Sequence, residues 1–400
     1  MGRAPVIQTR ILELLATCGC VSRQVFLMLP FTYNKISTTL KSLLDSGAIR
    51  ISGHGADKHY ALLDAGKTML ECSDFSRYPR CLFADNNTLL RVPARAVANG
   101  DTAALLSLAG YFIHPSDKPA LPVHATLPDD DNGWFELYQN GGISSAANCY
   151  YTSTAVKRHF RAYSDKGFQY SRACGILFTP EYILRVFNSR NVALEFRETG
   201  ERKLCNLIPR LFSGYVPKRK DALLVFGRGF AAAENILAGD FDAERIRMTK
   251  ISKRTLMNTQ NLGRPMYYRP IRSESLPLTQ LMRYPGWEDS MFEYLAKQVY
   301  FSYSLRSDAF YASGEDGSLL FIGVELNLTK LARLIRYMRE TASHAIKLLC
   351  LDWQKDFYEK MLELYTDCGT QNIHVLTMES GAVLRMNKQF ADYWDENNNT

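Results

Sequence analysis

Apolar side chains in the first thirty residues recur at the spacing of amphipathic helices. Ile7, Ile11 and Leu15 share one face of a predicted first helix, which ends before a Cys-Gly-Cys turn. Ser22 then offers an N-cap for a short second helix, and Pro30 closes that helix because proline cannot continue it. The pattern therefore predicts two helices separated by a tight break.

A third helix is predicted from about residue 33 to residue 45, with Gly47 as its C-terminal stop. Its apolar face is formed by Ile36, Leu40, Leu43 and Leu44. Residues 48–52 and 58–63 are typical of two short strands, and the glycine-containing segment between them favours a hairpin. The resulting order is three helices, a hairpin and then a further helix.

This order is that of a winged helix-turn-helix domain, whose third helix enters the DNA major groove while the wing approaches the backbone. Asn, Ser and Thr can bond base edges, whereas Lys mainly neutralises phosphates. The segment from Met1 to Leu70 holds eight Lys or Arg and four Asp or Glu, which favours DNA over the alternative of a protein-contacting domain. The residues predicted to face double-stranded DNA are Asn34, Lys35, Thr38, Lys41, His54 and Lys58.

The rest of the chain alternates predicted helices and strands, which indicates α/β organisation, or α+β over the whole chain. The first part predicts helices at 101–108, 146–160 and 201–208, and strands at 173–178, 182–187, 192–196 and 222–226. The last part predicts strands at 307–312 and 318–327 around a turn, followed by helix 329–342, strand 346–351, helix 354–364 and strand 373–377. We therefore expect a larger α/β part after the N-terminal helices.

Two acidic residues in the last part match the carboxylate pair of restriction-endonuclease-like folds. Asp308 lies on the first strand of the predicted hairpin, and Glu325 lies near the end of the second. Such a pair would hold Mg²⁺ against a scissile phosphate, and a lysine two residues after the glutamate would polarise the attacking water. Asn327 occupies that third position, and the nearest substitute is Lys330. An active nuclease, a degenerate DNA-binding domain and a purely structural pair all remain open.

The motif Gly227-Arg228-Gly229-Phe230-Ala231-Ala232 follows a predicted strand and matches the GxGxxA of a dinucleotide fingerprint. The next segment has no acidic residue at the end of a second apolar strand to hold a ribose. We therefore interpret the motif as a close strand-to-helix turn. No cofactor is expected, apart from Mg²⁺ if the nuclease is active.

A winged helix followed by an α/β unit with this Asp and Glu arrangement resembles the replication-relaxation family of bacterial mobile elements. The segments Leu44–Ile49 and Tyr60–Lys67 resemble the corresponding parts of bacterial winged-helix regulators. The segment 171–188 is similar to uncharacterised proteins carried by clostridial conjugative elements. The resemblance implies plasmid or transposon replication, mobilisation or its control, with no secure catalytic assignment.

These observations divide the chain into six predicted parts. They are a winged helix-turn-helix at 1–72, an irregular connector with short helices at 73–145, a first α/β unit at 146–240, a basic linker and helix at 241–298, a restriction-endonuclease-like α/β unit at 299–380 and a C-terminal tail at 381–400.

Composition narrows the class of protein. The 400 residues are 46% hydrophobic and carry a net charge of +7, which fits a globular chain and permits polyanion binding. Nine cysteines, an odd number spread along the chain, are typical of reduced thiols. No apolar run approaches the roughly 18 residues of a membrane span, and the N-terminus lacks a signal peptide's apolar segment, so we expect a cytoplasmic protein.

The sequence therefore predicts a DNA-binding protein of a bacterial mobile genetic element, more consistent with binding than with catalysis. The first alternative is a Mg²⁺-dependent nuclease with Asp308 and Glu325 as metal ligands and Lys330 as the third catalytic residue. The second is an adaptor that binds replication or conjugation proteins. The oligomeric state and the DNA sequence recognised are left open.

Overall fold

The computed structural model of the chain describes residues 6–53, 58–79, 94–118, 148–162, 172–190, 220–241, 264–299, 302–303, 312–313, 317–341, 344–365 and 372–398. The described residues combine helices with strands that form three sheets, which confirms the predicted α/β class. The predicted elements at 192–196 and 201–208, together with residues 307–311 of the strand that carries Asp308, lie outside the described residues.

The N-terminal unit, as described over residues 6–53 and 58–79, contains four helices and a small sheet. In chain order its elements are α1 (Val6–Cys18), β1 (Val21–Ser22), α2 (Arg23–Phe26), α3 (Tyr33–Asp45), β2 (Ile49–Ser52), β3 (His59–Leu62) and α4 (Asp64–Ser73). β3 lies between β1 and β2 and is antiparallel to both. Gly47 follows α3 at φ +66°, a conformation that strains other residues, so it ends the helix at the predicted place.

A long helix, α5 (Ala94–Leu108), runs through the segment predicted as an irregular connector. It packs against α1 and β1 on one side and against the first large sheet on the other. Ala98, Ala103 and Ala104 are buried there. The predicted helix began only at Asp101, because alanine and glycine give little contrast between the faces of a helix.

Within the described residues, the first large sheet has five strands. Its elements are β4 (Cys149–Thr152), α6 (Ser153–Ala162), β5 (Gly175–Phe178), β6 (Tyr182–Arg190), β7 (Lys220–Gly227), α7 (Ala231–Phe241) and β8 (Met266–Pro270), followed by the helices α8 (Leu276–Leu281) and α9 (Trp287–Gln298). The strand order is β4-β5-β6-β7-β8. β4, β5 and β6 are antiparallel neighbours, whereas β6, β7 and β8 are parallel.

Two sequence predictions are wrong in this sheet. The helix predicted at 146–160 begins only at Ser153, because Cys149, Tyr150 and Tyr151 form an edge strand that pairs with β5. The segment predicted as a basic linker contributes β8, whose residues are all buried. Residues 242–263 of that linker lie outside the described residues. Each strand is too short to show a period that separates it from a neighbouring helix or loop.

Five strands also form the second large sheet in the part of the chain that the structure describes. Its elements are β9 (Ser302–Tyr303), β10 (Ala312–Ser313), β11 (Leu319–Ile322), α10 (Leu328–Thr341), β12 (Ile346–Leu351), α11 (Lys355–Tyr365) and β13 (Ile373–Met378), followed by α12 (Gly381–Asn398). The strand order is β13-β12-β11-β10-β9. β9, β10 and β11 are antiparallel neighbours, and β11, β12 and β13 are parallel.

The structure corrects the sequence prediction at two places in this second unit. The strand predicted at 318–327 ends at Ile322, and the chain then turns with Leu326 at φ +52°. The predicted C-terminal tail is the helix α12, which buries Ala382, Val383 and Met386. Helix α12 is therefore an integral part of the core.

The two large sheets meet along β8. The backbone N–H of Tyr268 donates to the carbonyl of Leu326 at 2.9 Å, and Tyr267 forms an isolated bridge with Asn327. The turn after β11 therefore lies against the edge of the first sheet, and it carries Glu325 into the seam between the two sheets.

Candidate nucleic-acid interface

The outward face of α3 carries four of the residues predicted to contact DNA. Ile36, Leu40 and Leu43 point inward and are buried, while the helix packs on α1 and β2. Residues three and four apart share a face of a helix, so one polar stripe remains on the outside. Its exposed members are Asn34, Lys35, Thr38 and Lys41.

The sequence analysis missed an arginine beside this stripe. Arg23, at the start of α2, donates from Nη2 to the Tyr33 hydroxyl at 2.7 Å and to Ser37 Oγ at 3.2 Å. Its guanidinium also lies 5.4 Å from the centre of the Tyr33 ring. Tyr33 itself is 58% exposed. Arg23 thus adds a positive charge beside the polar stripe, and its only sequence signal was its place directly after the predicted N-cap Ser22.

The hairpin provides the two remaining predicted contacts. Ser52 pairs with His59 at the last described pair of β2 and β3. Lys58, the residue before β3, is exposed, whereas His54 lies outside the described residues. The position of Lys58 is that of a wing residue in the predicted domain.

Asp101 joins the N-terminal unit to the rest of the chain. Its buried carboxylate on α5 accepts a hydrogen bond from the backbone N–H of Ser22 at 2.7 Å, at the start of α2. Burial raises the pKa of Asp101 to about 6, although the Ser22 N–H and hydroxyl oppose the rise. The side chain of Gln24 also donates to the carbonyl of Ile271, just after β8. These contacts fix the orientation of α2, and with it α3, relative to the first sheet.

Replacing Asp101 by asparagine should flatten part of the pH dependence of folding. The folded-state pKa of about 6 exceeds the ordinary 3.8, so the folded chain holds a proton that the unfolded chain has released. Stability from this group is therefore full below pH 3.8 and falls until pH reaches about 6, by about 3 kcal/mol. Urea unfolding of both proteins across this window measures the difference. Parallel curves would contradict the buried, protonated carboxyl.

Of the candidate nuclease residues, Glu325 and Lys330 come together. Lys330 Nζ, in the first turn of α10, lies 3.0 Å from Oε1 of Glu325. Glu325 is only 1% exposed, and the Lys330 ammonium also lies 4.7 Å from the centre of the Phe292 ring. Asp308 lies outside the described residues. The predicted approach of Lys330 to Glu325 is therefore present, but the two form a closed ion pair.

A second glutamate, which the sequence analysis did not single out, completes this cluster. Glu288, in the first turn of α9, accepts a hydrogen bond from the Tyr182 hydroxyl at 2.6 Å and another from the Tyr267 hydroxyl. Burial tends to raise the pKa of Glu288, but Lys330, the two hydroxyls and a hydrogen bond with Glu325 together hold it below its ordinary value. The two glutamates and Lys330 therefore form one buried, electrostatically linked cluster.

This cluster does not fit Mg²⁺ as it stands. The Lys330 ammonium occupies the place facing Glu325 that a cation would need, and Arg269 donates to the Glu325 carbonyl at 2.5 Å. Within the described ranges, no group of three or more His, Cys, Asp or Glu side chains is arranged to hold a metal ion. The geometry instead favours a structural role for this cluster, as a buried ion pair with hydrogen bonds at the seam between the two large sheets.

The glycines of the GxGxxA motif have a packing role. A Cβ at Gly227 would lie 2.1 Å from the Tyr268 hydroxyl, and that hydroxyl donates to the carbonyl of Gly229. The absence of a side chain at Gly227 therefore lets β8 approach the turn between β7 and α7. This contact gives the motif a structural explanation that needs no nucleotide.

Comparisons with protein-family models, with curated proteins and with solved structures gave no match. In the part of the chain that the structure describes, no helix combines the length and apolar character that a bilayer crossing requires. Function is therefore inferred from the side chains and their surroundings.

Proposed function

We propose that this chain is a double-stranded DNA-binding protein of a bacterial mobile genetic element. It acts in the cytoplasm in plasmid or transposon replication, in mobilisation or in their control, with replication or conjugation proteins as its partners. The single observation that carries the proposal is the exposed polar stripe on α3, which includes Lys35 and Lys41. DNA binding itself requires no cofactor.

The polar stripe carries two kinds of side chain, one suited to base edges and one suited to phosphates. Asn34 and Thr38 lie one turn apart on the exposed side and can bond base edges. Lys35 and Lys41 carry charges that neutralise phosphates on the groove walls, and Lys58 stands at the wing. A helix laid in a major groove needs both kinds of side chain on one face.

Positive charge favours DNA over a protein partner at this face. Arg23 holds its guanidinium against Tyr33, which keeps it beside the stripe without an acidic partner in that contact. No acidic residue lies between Tyr33 and Leu44 on α3. A protein-contacting face of this size would be expected to present an apolar centre, whereas Tyr33 is the sole large apolar side chain exposed on α3 among the described residues.

Replacing Lys35 and Lys41 together by alanine tests the proposal. We expect the double variant to bind a mixed-sequence duplex of about 30 base pairs roughly tenfold more weakly or worse at moderate salt, with the slope of log affinity against log salt reduced by about two. Fluorescence anisotropy over a salt series measures both quantities. The slope should fall because each lysine that is removed no longer displaces a counterion from one DNA phosphate.

The matched control replaces two exposed lysines of the second α/β unit, Lys355 and Lys388, by alanine. This control changes the net charge equally and should leave the slope close to that of the unaltered protein. Equal losses of affinity and slope in the two double variants would show that overall charge, and not the α3 stripe, causes the effect. Absence of any DNA affinity in the unaltered chain would refute the proposal and leave the adaptor hypothesis.

A further inference from the structure

Three side chains that carry hydrogen-bond donors come together where α2 meets α3. Arg23, at the start of α2, contacts the hydroxyl of Tyr33 and that of Ser37 through its Nη2. Tyr33 and Ser37 are four residues apart on α3, so they lie on the same face of that helix. Lys41, a member of the polar stripe, follows Ser37 by another four residues and continues this row. We call Arg23, Tyr33 and Ser37 the donor cluster.

The donor cluster has more donors than acceptors. A guanidinium has five N–H groups, and in the described part of the chain only Nη2 of Arg23 makes contacts, so Nη1 and Nε bond no acceptor there. The Tyr33 and Ser37 hydroxyls accept from Arg23, and among the described residues neither donates its own proton. Three side chains with unused donors on one spot are suited to an anion with several oxygens.

The charge of Arg23 is not neutralised by a carboxylate. Over the ranges that the structure describes, no Asp or Glu contacts its guanidinium. Residues 14–44 contain no Asp or Glu at all, although they include Arg23, Lys35 and Lys41. Arg23 is exposed and Tyr33 is 58% exposed, so an anion in solution can reach both side chains. The donor cluster therefore combines positive charge, unused donors and access.

We propose that the donor cluster binds one phosphate of the DNA backbone, at the edge of the groove that α3 enters. The proposal rests on the proposed function and names the group that holds the duplex on the α2 side. In helix-turn-helix domains the first helix of the motif crosses the DNA backbone, so a phosphate is expected at the start of α2.

The three side chains have different roles in this site. Arg23 forms the charge-assisted hydrogen bond to the phosphate. Tyr33 and Ser37 hold the guanidinium in one orientation, through their hydroxyls and through the Tyr33 ring, whose centre lies 5.4 Å from it. Because Arg23 is already ordered in the free protein, it loses less side-chain entropy on binding than an unrestrained arginine does.

Replacing Arg23 by alanine tests the charge. On a mixed-sequence duplex of about 30 base pairs, the slope of log affinity against log salt should fall by about one, and affinity should fall roughly tenfold at moderate salt. The matched control is Arg10→Ala in α1, since Arg10 is 67% exposed and lies 3.9 Å from Glu13. This control removes the same charge from the same unit and should leave the slope unchanged. Equal losses in the two variants would assign the effect to overall charge and overturn the inference.

Replacing Tyr33 by phenylalanine tests the orientation of Arg23 without any change of charge. Affinity should fall roughly fivefold, because one hydrogen bond to the guanidinium is lost, while the salt slope stays the same. In the Arg23→Ala background the same replacement should cost much less, because the group that the hydroxyl orients is gone. Unchanged affinity in Tyr33→Phe, or strictly additive losses in the double variant, would overturn the inference.

Replacing Arg23 by lysine separates charge from folding. The lysine variant should recover the slope, since it keeps the positive charge. A slope that lysine does not restore would assign the loss to structure and overturn the inference. If Arg23→Ala keeps the full slope while the Lys35 and Lys41 variant loses it, the donor cluster is not a DNA contact and the proposed function stands. If the unaltered chain does not bind DNA, both proposals fall.

Discussion

Replacing Lys330 by alanine should lower the free energy of unfolding by about 3–5 kcal/mol. The reason is that Lys330 pairs with the carboxylate of Glu325, which is 1% exposed, beside the buried Glu288. Without the ammonium, the Glu325 carboxylate stays buried at the seam between the sheets and loses this ion pair. Urea unfolding at neutral pH measures the change.

A surface ion pair of the same chemistry is the control. Lys360 Nζ on α11 lies 2.7 Å from Oε2 of Glu234 on α7, closer than Lys330 lies to Glu325. The Lys360 side chain is 49% exposed, however, so its replacement by alanine should cost less than about 1 kcal/mol. Adding Glu325→Gln to Lys330→Ala should recover about 1 kcal/mol or more. Equal, small losses at Lys330 and Lys360 would show that the buried cluster has no role in stability.

Replacing Gly100 by alanine should destabilise the chain by about 3 kcal/mol or more. Within most helices the same change stabilises by about 1 kcal/mol, because alanine has the higher helix propensity. In α5, however, a Cβ at Gly100 would lie 1.8 Å from the carbonyl oxygen of Cys20 and 3.0 Å from that of Cys18. Both obstacles are backbone, so the turn between α1 and β1 would have to move away from α5. Thermal and urea unfolding measure the sign directly.

The control for this prediction is Gly229→Ala. No atom lies within 4 Å of a Cβ built at Gly229, so this change should alter stability by less than about 1 kcal/mol. An increase in stability at Gly100 would mean that α5 does not lie against the Cys18–Cys20 turn. The variant also perturbs the contacts that hold α2 against α5 and the first sheet.

The sequence predicts those elements whose own pattern is strong. The third helix of the N-terminal unit and the strand Ile346–Leu351 have the predicted bounds, because each has a clear period or an unbroken apolar run flanked by breaks. Helix α5 was only partly found, since its faces differ by alanine and glycine rather than by polarity. Strand β8 and helix α12 were missed because their burial depends on neighbours that are distant in sequence.

The same distinction applies to the candidate sites. The polar stripe of α3 follows from helix phase alone, which is a local property. Arg23 and Glu288 become recognisable only when separate elements are brought together, as α2 and α3 are at Arg23 and α9 and β6 are at Glu288. Glu325 was found as a carboxylate but not as a buried one, because the strand expected to present it ends at Ile322 and the chain turns inward.

The boundary predicted at residue 72 does not separate two hydrophobic cores, because helix α5 packs against both sides of it. A single cluster of buried side chains runs without a break from Leu15 in α1 through Leu105 in α5 to Leu184 in β6 and Leu320 in β11. An N-terminal fragment cut free near residue 79 would leave the α5-facing sides of α1 and β1 in water. Evolutionary exchange of the N-terminal unit for another would therefore require α5 to be exchanged together with it.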